Sequence, residues 1–80
     1  MSQWEKSWRR LSEGNCQYSE LVMLLQRFSF VKMRQRGSHE AWRHPRAEII
    51  TLAVHSKEVP KWLQKQIYQK ILKSGLNNTI

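Results

Sequence analysis

Two short runs of alternating polarity, Phe30 to Arg36 and His39 to His44, are separated by Gly37-Ser38 alone. Few folds accommodate this arrangement. Successive strand side chains point to opposite faces, so Val31 and Met33 are expected on one side of the first run and Lys32, Arg34 and Arg36 on the other, as in a half-buried strand. Glycine followed by serine suits a type II′ hairpin turn, because glycine at the first central position takes the positive φ that matches the twist of the flanking strands. If Trp42 faces the core, His39, Ala41 and Arg43 share the outer surface of the second strand, and Glu40 turns inward.

The hairpin sits within a readable order of elements. Trp4, Trp8 and Leu11 recur at helical spacing and predict a short amphipathic helix ending near Gly14. A second helix is expected from about Tyr18 to Phe28, with Leu21, Leu24, Leu25 and Phe28 on one side. After the Pro45-Arg46 connection, Glu48 to His55 reads as a third strand, with Ile50, Leu52 and Val54 inward and Thr51, Ala53 and His55 outward. Pro60 and Gly75 bracket a last helix, whose apolar stripe is Trp62, Leu63, Ile67, Ile71 and Leu72. The tail Asn77-Asn78-Thr79-Ile80 is expected to fray. Strands joined by short turns form an antiparallel three-stranded sheet with helices on one face, an α+β fold whose other face stays open. Trp42 and Trp62 are assigned to the core, leaving Trp4 or Trp8 free to stack on a base or partner.

Eighty residues suit one domain, 1–80, with residues 1–14 as a helical extension and 18–76 as the core. Fourteen Lys and Arg against six Asp and Glu give a formal charge of +8, which favours polyanionic partners, nucleic acid first, or an acidic protein. The one cysteine, Cys16, has no internal disulfide partner, and the longest aliphatic run, Leu21 to Leu25, is far too short to span a membrane. A soluble, cytoplasmic chain is expected.

The helix Ser19-Glu20-Leu21-Val22-Met23-Leu24-Leu25 leads to the strand ending Arg34-Gln35-Arg36-Gly37-Ser38-His39. Then come Trp42-Arg43-His44-Pro45, Thr51-Leu52-Ala53-Val54-His55 and a helix closing on Ile71-Leu72-Lys73-Ser74-Gly75-Leu76. This succession resembles the HicA (YcfA-like) family of bacterial toxins from Tyr18 to Leu76. The resemblance implies a fold like the double-stranded-RNA-binding domain (dsRBD), α-β-β-β-α, with an extra N-terminal helix here. It also implies the mRNA endoribonuclease (mRNA interferase) activity of a type II toxin-antitoxin system, and a HicB-like antitoxin that covers the active face. The family's catalytic histidine, in its Gly-Ser-His motif, maps onto His39. The sequence departs from the usual pattern at Glu40, often a second histidine or an apolar residue in the family, and at Ala53, commonly proline.

Metal-independent RNA cleavage needs a base for the 2′-OH proton, donors for the scissile phosphate and an acid for the leaving 5′-oxygen. Histidine serves as base or acid near neutral pH. Arg34, Arg36 and Arg43 have the planar multi-donor groups that phosphate recognition prefers, and Gly37 and Ser38 let an RNA backbone approach closely. Each has a plainer reading as well: a solvated strand face for the arginines, a hairpin turn for Gly37-Ser38, a solvated residue for a histidine at a strand start. His55 is a further candidate for phosphate contact or acid, and His44 beside Pro45 carries less weight. No compact zinc spacing joins the three histidines and the cysteine, so no metal and no small-molecule cofactor is expected. A non-catalytic dsRBD-like RNA-binding module is the alternative. Its binding would weaken steeply with salt and leave the RNA intact.

Overall fold

The structure, a computed structural model, describes residues 3–53 and 58–78. Helices α1 (Gln3–Glu13) and α2 (Tyr18–Arg27) precede strands β1 (Val31–Arg36), β2 (His39–His44) and β3 (Ala47–Ala53); helix α3 (Lys61–Ser74) and a 3₁₀ turn, Leu76–Asn78, follow. The strands form one antiparallel sheet in the order β1-β2-β3. Trp42, Ile50 and Leu52 on its inner face join Leu11, Leu24, Leu25, Leu63, Ile67 and Ile71 from the helices in a single core. The opposite face is open.

Local chemistry sets each boundary. Helix α1 stops at Gly14, whose φ of +78° lets its N–H reach Leu11 O and the Asn15 N–H reach Arg10 O, the paired bonds of a Schellman cap. A Cβ there would also lie 2.3 Å from Cγ of Lys61, so any side chain at this position would have to displace that lysine at the start of α3. Helix α2 ends in the same motif, with Ser29 N–H bonded to Gln26 O and Phe30 N–H to Leu25 O. Here, however, a serine holds the left-handed conformation, at φ +70°. An L-residue pays roughly 1–2 kcal/mol for that geometry, offset in part by glycine's larger unfolded-state entropy, so Ser29→Gly is expected to stabilise the chain by about 0.5–1 kcal/mol. A rise in the urea midpoint at unchanged slope would report it.

The N-terminal helix is tied to the rest of the molecule. Glu20 accepts hydrogen bonds from the buried Ser7 hydroxyl at 3.0 Å and from the Gln17 N–H at 3.2 Å, and pairs with Arg10 at 3.2 Å. Trp8 packs edge-on to Phe28 and lies 4.3 Å from the Tyr68 ring, while Trp4 packs edge-on to Phe28 and carries the Arg27 guanidinium over its ring. Trp8 is therefore a half-buried packing group set between two rings, while Trp4, also half-buried, packs on Phe28 and Arg27 at the margin of the fold. Trp62, expected in the core, is instead 65% exposed. The stripe of α3 centres on Leu63, Gln64, Ile67 and Ile71, with Trp62 and Leu72 on the flanks. Gln64 earns its buried place by accepting from the Cys16 N–H at 2.7 Å and donating to Val59 O at 2.8 Å. Of the tail, Asn77 and Asn78 continue the 3₁₀ turn behind the buried Leu76, while Thr79 and Ile80 lie outside the described residues.

β1 is not the half-buried strand its alternation suggested. All six side chains are exposed, and it pairs only with β2, at the sheet edge. The register shifts between Lys32 and Arg34, a bulge that places one extra residue, Met33, in the strand. Cross-strand partners share a face. Val31 opposite Arg43, Arg34 opposite Ala41 and Arg36 opposite His39 thus lie on the open face, whereas Lys32 opposite Trp42 and Gln35 opposite Glu40 lie on the other. Lys32 Nζ accordingly donates to Gln35 Oε1 at 3.1 Å.

Candidate functional site

The open face is built from alternate residues of all three strands. Gly37 at φ +56°, with Ser38 at negative φ, closes the β1–β2 hairpin in the pattern of a type II′ turn and presents His39 as the first residue of β2. His39 is exposed, flanked across the ladder by Arg36 on β1 and Ala53 on β3. Directly opposed Cβ atoms lie about 5 Å apart, so the Arg36 guanidinium easily reaches a group bound at the imidazole. Arg34 comes next along the same edge, and Arg43 lies four residues along β2 from His39, about 13 Å away.

The two sides of this surface differ. Arg34 and Arg36 line the β1 side, whereas Ala41, Thr51 and Ala53 keep the centre and the β3 side low. A backbone can therefore come close to His39 from the β3 side while its phosphates meet guanidinium groups on the other. Among the described residues, Arg34, Arg36 and Arg43 have no carboxylate partner, and Glu48, in the register shift of β3 across from Arg43, forms no ion pair with it. Their charge is left for an external anion. Ser38 is half-buried in the turn. Val54 and His55 lie outside the described residues. Of the candidate residues, His39, Arg34, Arg36 and Arg43 are thus brought to one face, with Gly37 and Ser38 at its rim.

Beneath His39 the inward-turned Glu40 makes a contact with helix α2. Glu40 is 5% exposed and has no cationic partner among the described residues. Its carboxyl accepts hydrogen bonds from the Tyr18 hydroxyl of α2 and from the Trp42 indole N–H, the latter at 3.0 Å. Two neutral donors answer a buried acceptor, and they tie the strand that carries His39 to helix α2. The bond to Glu40, helped by burial, pushes the Tyr18 hydroxyl up to about 12. No spacing signal could have shown this pairing, because the partners are 22 residues apart.

The other reactive groups are placed elsewhere. His44 is buried on the inner face, 5.3 Å from the Phe30 ring, and its Nδ1 accepts the Arg46 N–H at 3.0 Å. Cys16 is buried, and burial together with nearby Glu20 pushes its thiol up to about 12, far from the thiolate a nucleophile needs. Among the described residues no three His, Cys, Asp or Glu side chains are grouped as metal ligands, and no helix is long and apolar enough to cross a membrane.

The family model described as the HicA toxin of bacterial toxin-antitoxin systems matches residues 18–75, from the first residue of α2 to the cap of α3. No curated protein and no solved structure matches the chain. The family match spans most of the sequence, and the α+β, dsRBD-like order of helix, three antiparallel strands and helix agrees with it. This chain belongs to the HicA toxin family of bacterial toxin-antitoxin systems.

Proposed function

We propose that the chain is a metal-independent endoribonuclease that cleaves mRNA in the cytoplasm, with His39 as the catalytic residue and a HicB-like antitoxin as its inhibitor. The observation that carries this reading is the exposed His39 on an open sheet face, directly across from Arg36, in a member of a toxin family. In the reaction, the 2′-oxygen attacks the adjacent phosphorus and the bond from phosphorus to the 5′-oxygen breaks. The 2′-OH proton passes to the His39 imidazole, and the departing 5′-oxygen takes up a proton, leaving a 2′,3′-cyclic phosphate and a 5′-hydroxyl. Arg34, Arg36 and Arg43 hold the phosphates, where guanidinium donors offset the charge that gathers on the non-bridging oxygens. Gly37 and Ser38 shape the rim, and His55 is proposed as a further RNA contact. The same face, basic with exposed Val31 and Ile49 at its margins, suits coverage by an acidic antitoxin surface.

End-labelled mRNA incubated with the purified chain in EDTA is expected to yield fragments ending in 2′,3′-cyclic phosphate. Full-length RNA that is only retarded on a gel, with a steep salt dependence, would identify a non-catalytic binding module instead. Cleavage only on addition of a divalent metal would overturn the metal-independent mechanism.

A further inference from the structure

A cleft of about 710 Å³ opens where the start of α1, the end of α2 and the turn between β2 and β3 meet, away from the open face that holds His39. Its volume is that of a small-ligand site. Trp4 and Phe28 supply aromatic surface, Arg27, Arg46 and His44 supply donors, and among the described residues no acidic side chain lines it. Among the described residues, neither Arg27 nor Arg46 has a carboxylate partner.

Arg27 and His44 each have a defined neighbour. The Arg27 guanidinium lies 4.9 Å from the centroid of the Trp4 ring and makes no ion pair among the described residues. His44 Nδ1 is taken by the Arg46 N–H, so the neutral imidazole keeps its proton on Nε2, as a donor. Like charges gathered without a counter-charge favour an anion, and an aromatic ring paired with a guanidinium plane is a surface on which unpaired bases stack. Arg46 is three residues from Arg43 of the open face, at most about 11 Å along the chain, so one strand can reach both.

We propose that this cleft is a second RNA subsite that takes one unpaired nucleotide, its base on the Trp4–Arg27 pair and its phosphate on Arg46 and His44 Nε2–H. The inference rests on the reading of the chain as an RNA-cleaving protein. A strand crossing the open face past Arg43 turns over Pro45 and places a flanking nucleotide in the cleft. The subsite thus fixes the register of the RNA relative to His39 and requires an unpaired flank.

Adenosine 5′-monophosphate, which has no phosphodiester to cleave, is the probe. Titrated into the ¹⁵N-labelled chain, it is expected to move the Trp4 indole and the Arg27 and Arg46 amide resonances, and to bind about tenfold more tightly than adenosine or inorganic phosphate. Arg46→Gln, an exposed change, is expected to weaken it about tenfold. Shifts confined to the His39 face, affinity no better than that of phosphate, or an Arg46→Gln chain that binds as the wild type does would each overturn the subsite. Cleavage of RNA is read separately. A chain that cuts RNA but leaves these resonances unmoved loses only the subsite, and one that binds the nucleotide in the cleft but cuts nothing loses only the nuclease reading.

Discussion

The His39→Ala chain is expected to lose RNA cleavage by a factor of roughly 10²–10⁴, the usual contribution of a positioned proton-transfer group. Growth arrest on expression should disappear with it. The loss should fall on chemistry and leave folding unchanged, because His39 is exposed, makes no side-chain hydrogen bond among the described residues and opens a strand whose inner face is held by Glu40 and Trp42. Surface changes of this kind usually move stability by less than ~0.5 kcal/mol. His39→Gln keeps a hydrogen-bonding group of similar reach but cannot exchange a proton near neutral pH, so it should be as inactive as His39→Ala. Arg36→Ala should instead weaken RNA binding and flatten its salt dependence. Measured single-turnover rates on one RNA separate these effects. A His39→Ala chain that cuts as fast as the wild type would remove His39 from the mechanism.

The largest stability effect is expected one residue further on. Glu40→Ala strips the acceptor from two inward-facing donors, the Tyr18 hydroxyl and the Trp42 indole N–H, and opens a small void between them. The buried Trp42 N–H left unsatisfied costs about 1–3 kcal/mol and the part-buried Tyr18 hydroxyl less, so a loss of about 2–3 kcal/mol and a fall in Tm of roughly 10–20 °C are expected. Glu40→Gln retains an acceptor for one donor and should cost less than half as much. Alkaline pH probes the same contact. The Tyr18 hydroxyl is raised from 10.0 to about 12, so the unfolded chain releases this proton first. The stability that this hydrogen bond contributes is complete below pH 10 and declines as pH rises through the folded value near 12. Thermal melts of wild type and Glu40→Gln between pH 8 and 11 should converge at the alkaline end. Parallel curves would show that Tyr18 does not titrate against Glu40.

The hairpin and the helix ends were legible because each rests on residues adjacent in the chain. Gly37-Ser38 fixes a turn by itself, Pro60 and Gly75 bracket α3, and Trp42 sets which side of β2 faces the core. Alternation in β1 misled for a physical reason. Period two establishes that a strand has two faces, but only its neighbours decide whether either is covered, and at the sheet edge neither Val31 nor Met33 is. The bulge at Met33 then exchanged the faces of the residues around it, setting Val31 with Arg34 and Arg36 and leaving Lys32 with Gln35. Trp62 is outside the core despite its hydrophobicity because angular position on the helix decides burial, and Gln64 sits closer to the centre of the buried stripe. Of the site, the shared outward face of His39 and Arg43 followed from alternation. The Tyr18–Glu40 support beneath it depends on how α2 lies across the sheet, which no local pattern encodes.

The two edges of the sheet are finished differently. On β3 the Ile49 carbonyl receives the Lys70 ammonium of α3 at 3.0 Å, a side chain that occupies the free rim. β1 has only its ladder to β2 and no buried side chain to anchor it. Elements held this way open and close by local fluctuation well below the free energy of global unfolding, and their amides exchange with solvent early. Arg34 and Arg36 therefore ride on the most compliant strand of the molecule, while His39 stands on the best anchored. The fold sets a fixed imidazole beside an adjustable cationic arm, which in the proposed nuclease would let the face conform to RNA backbones of differing shape without displacing His39.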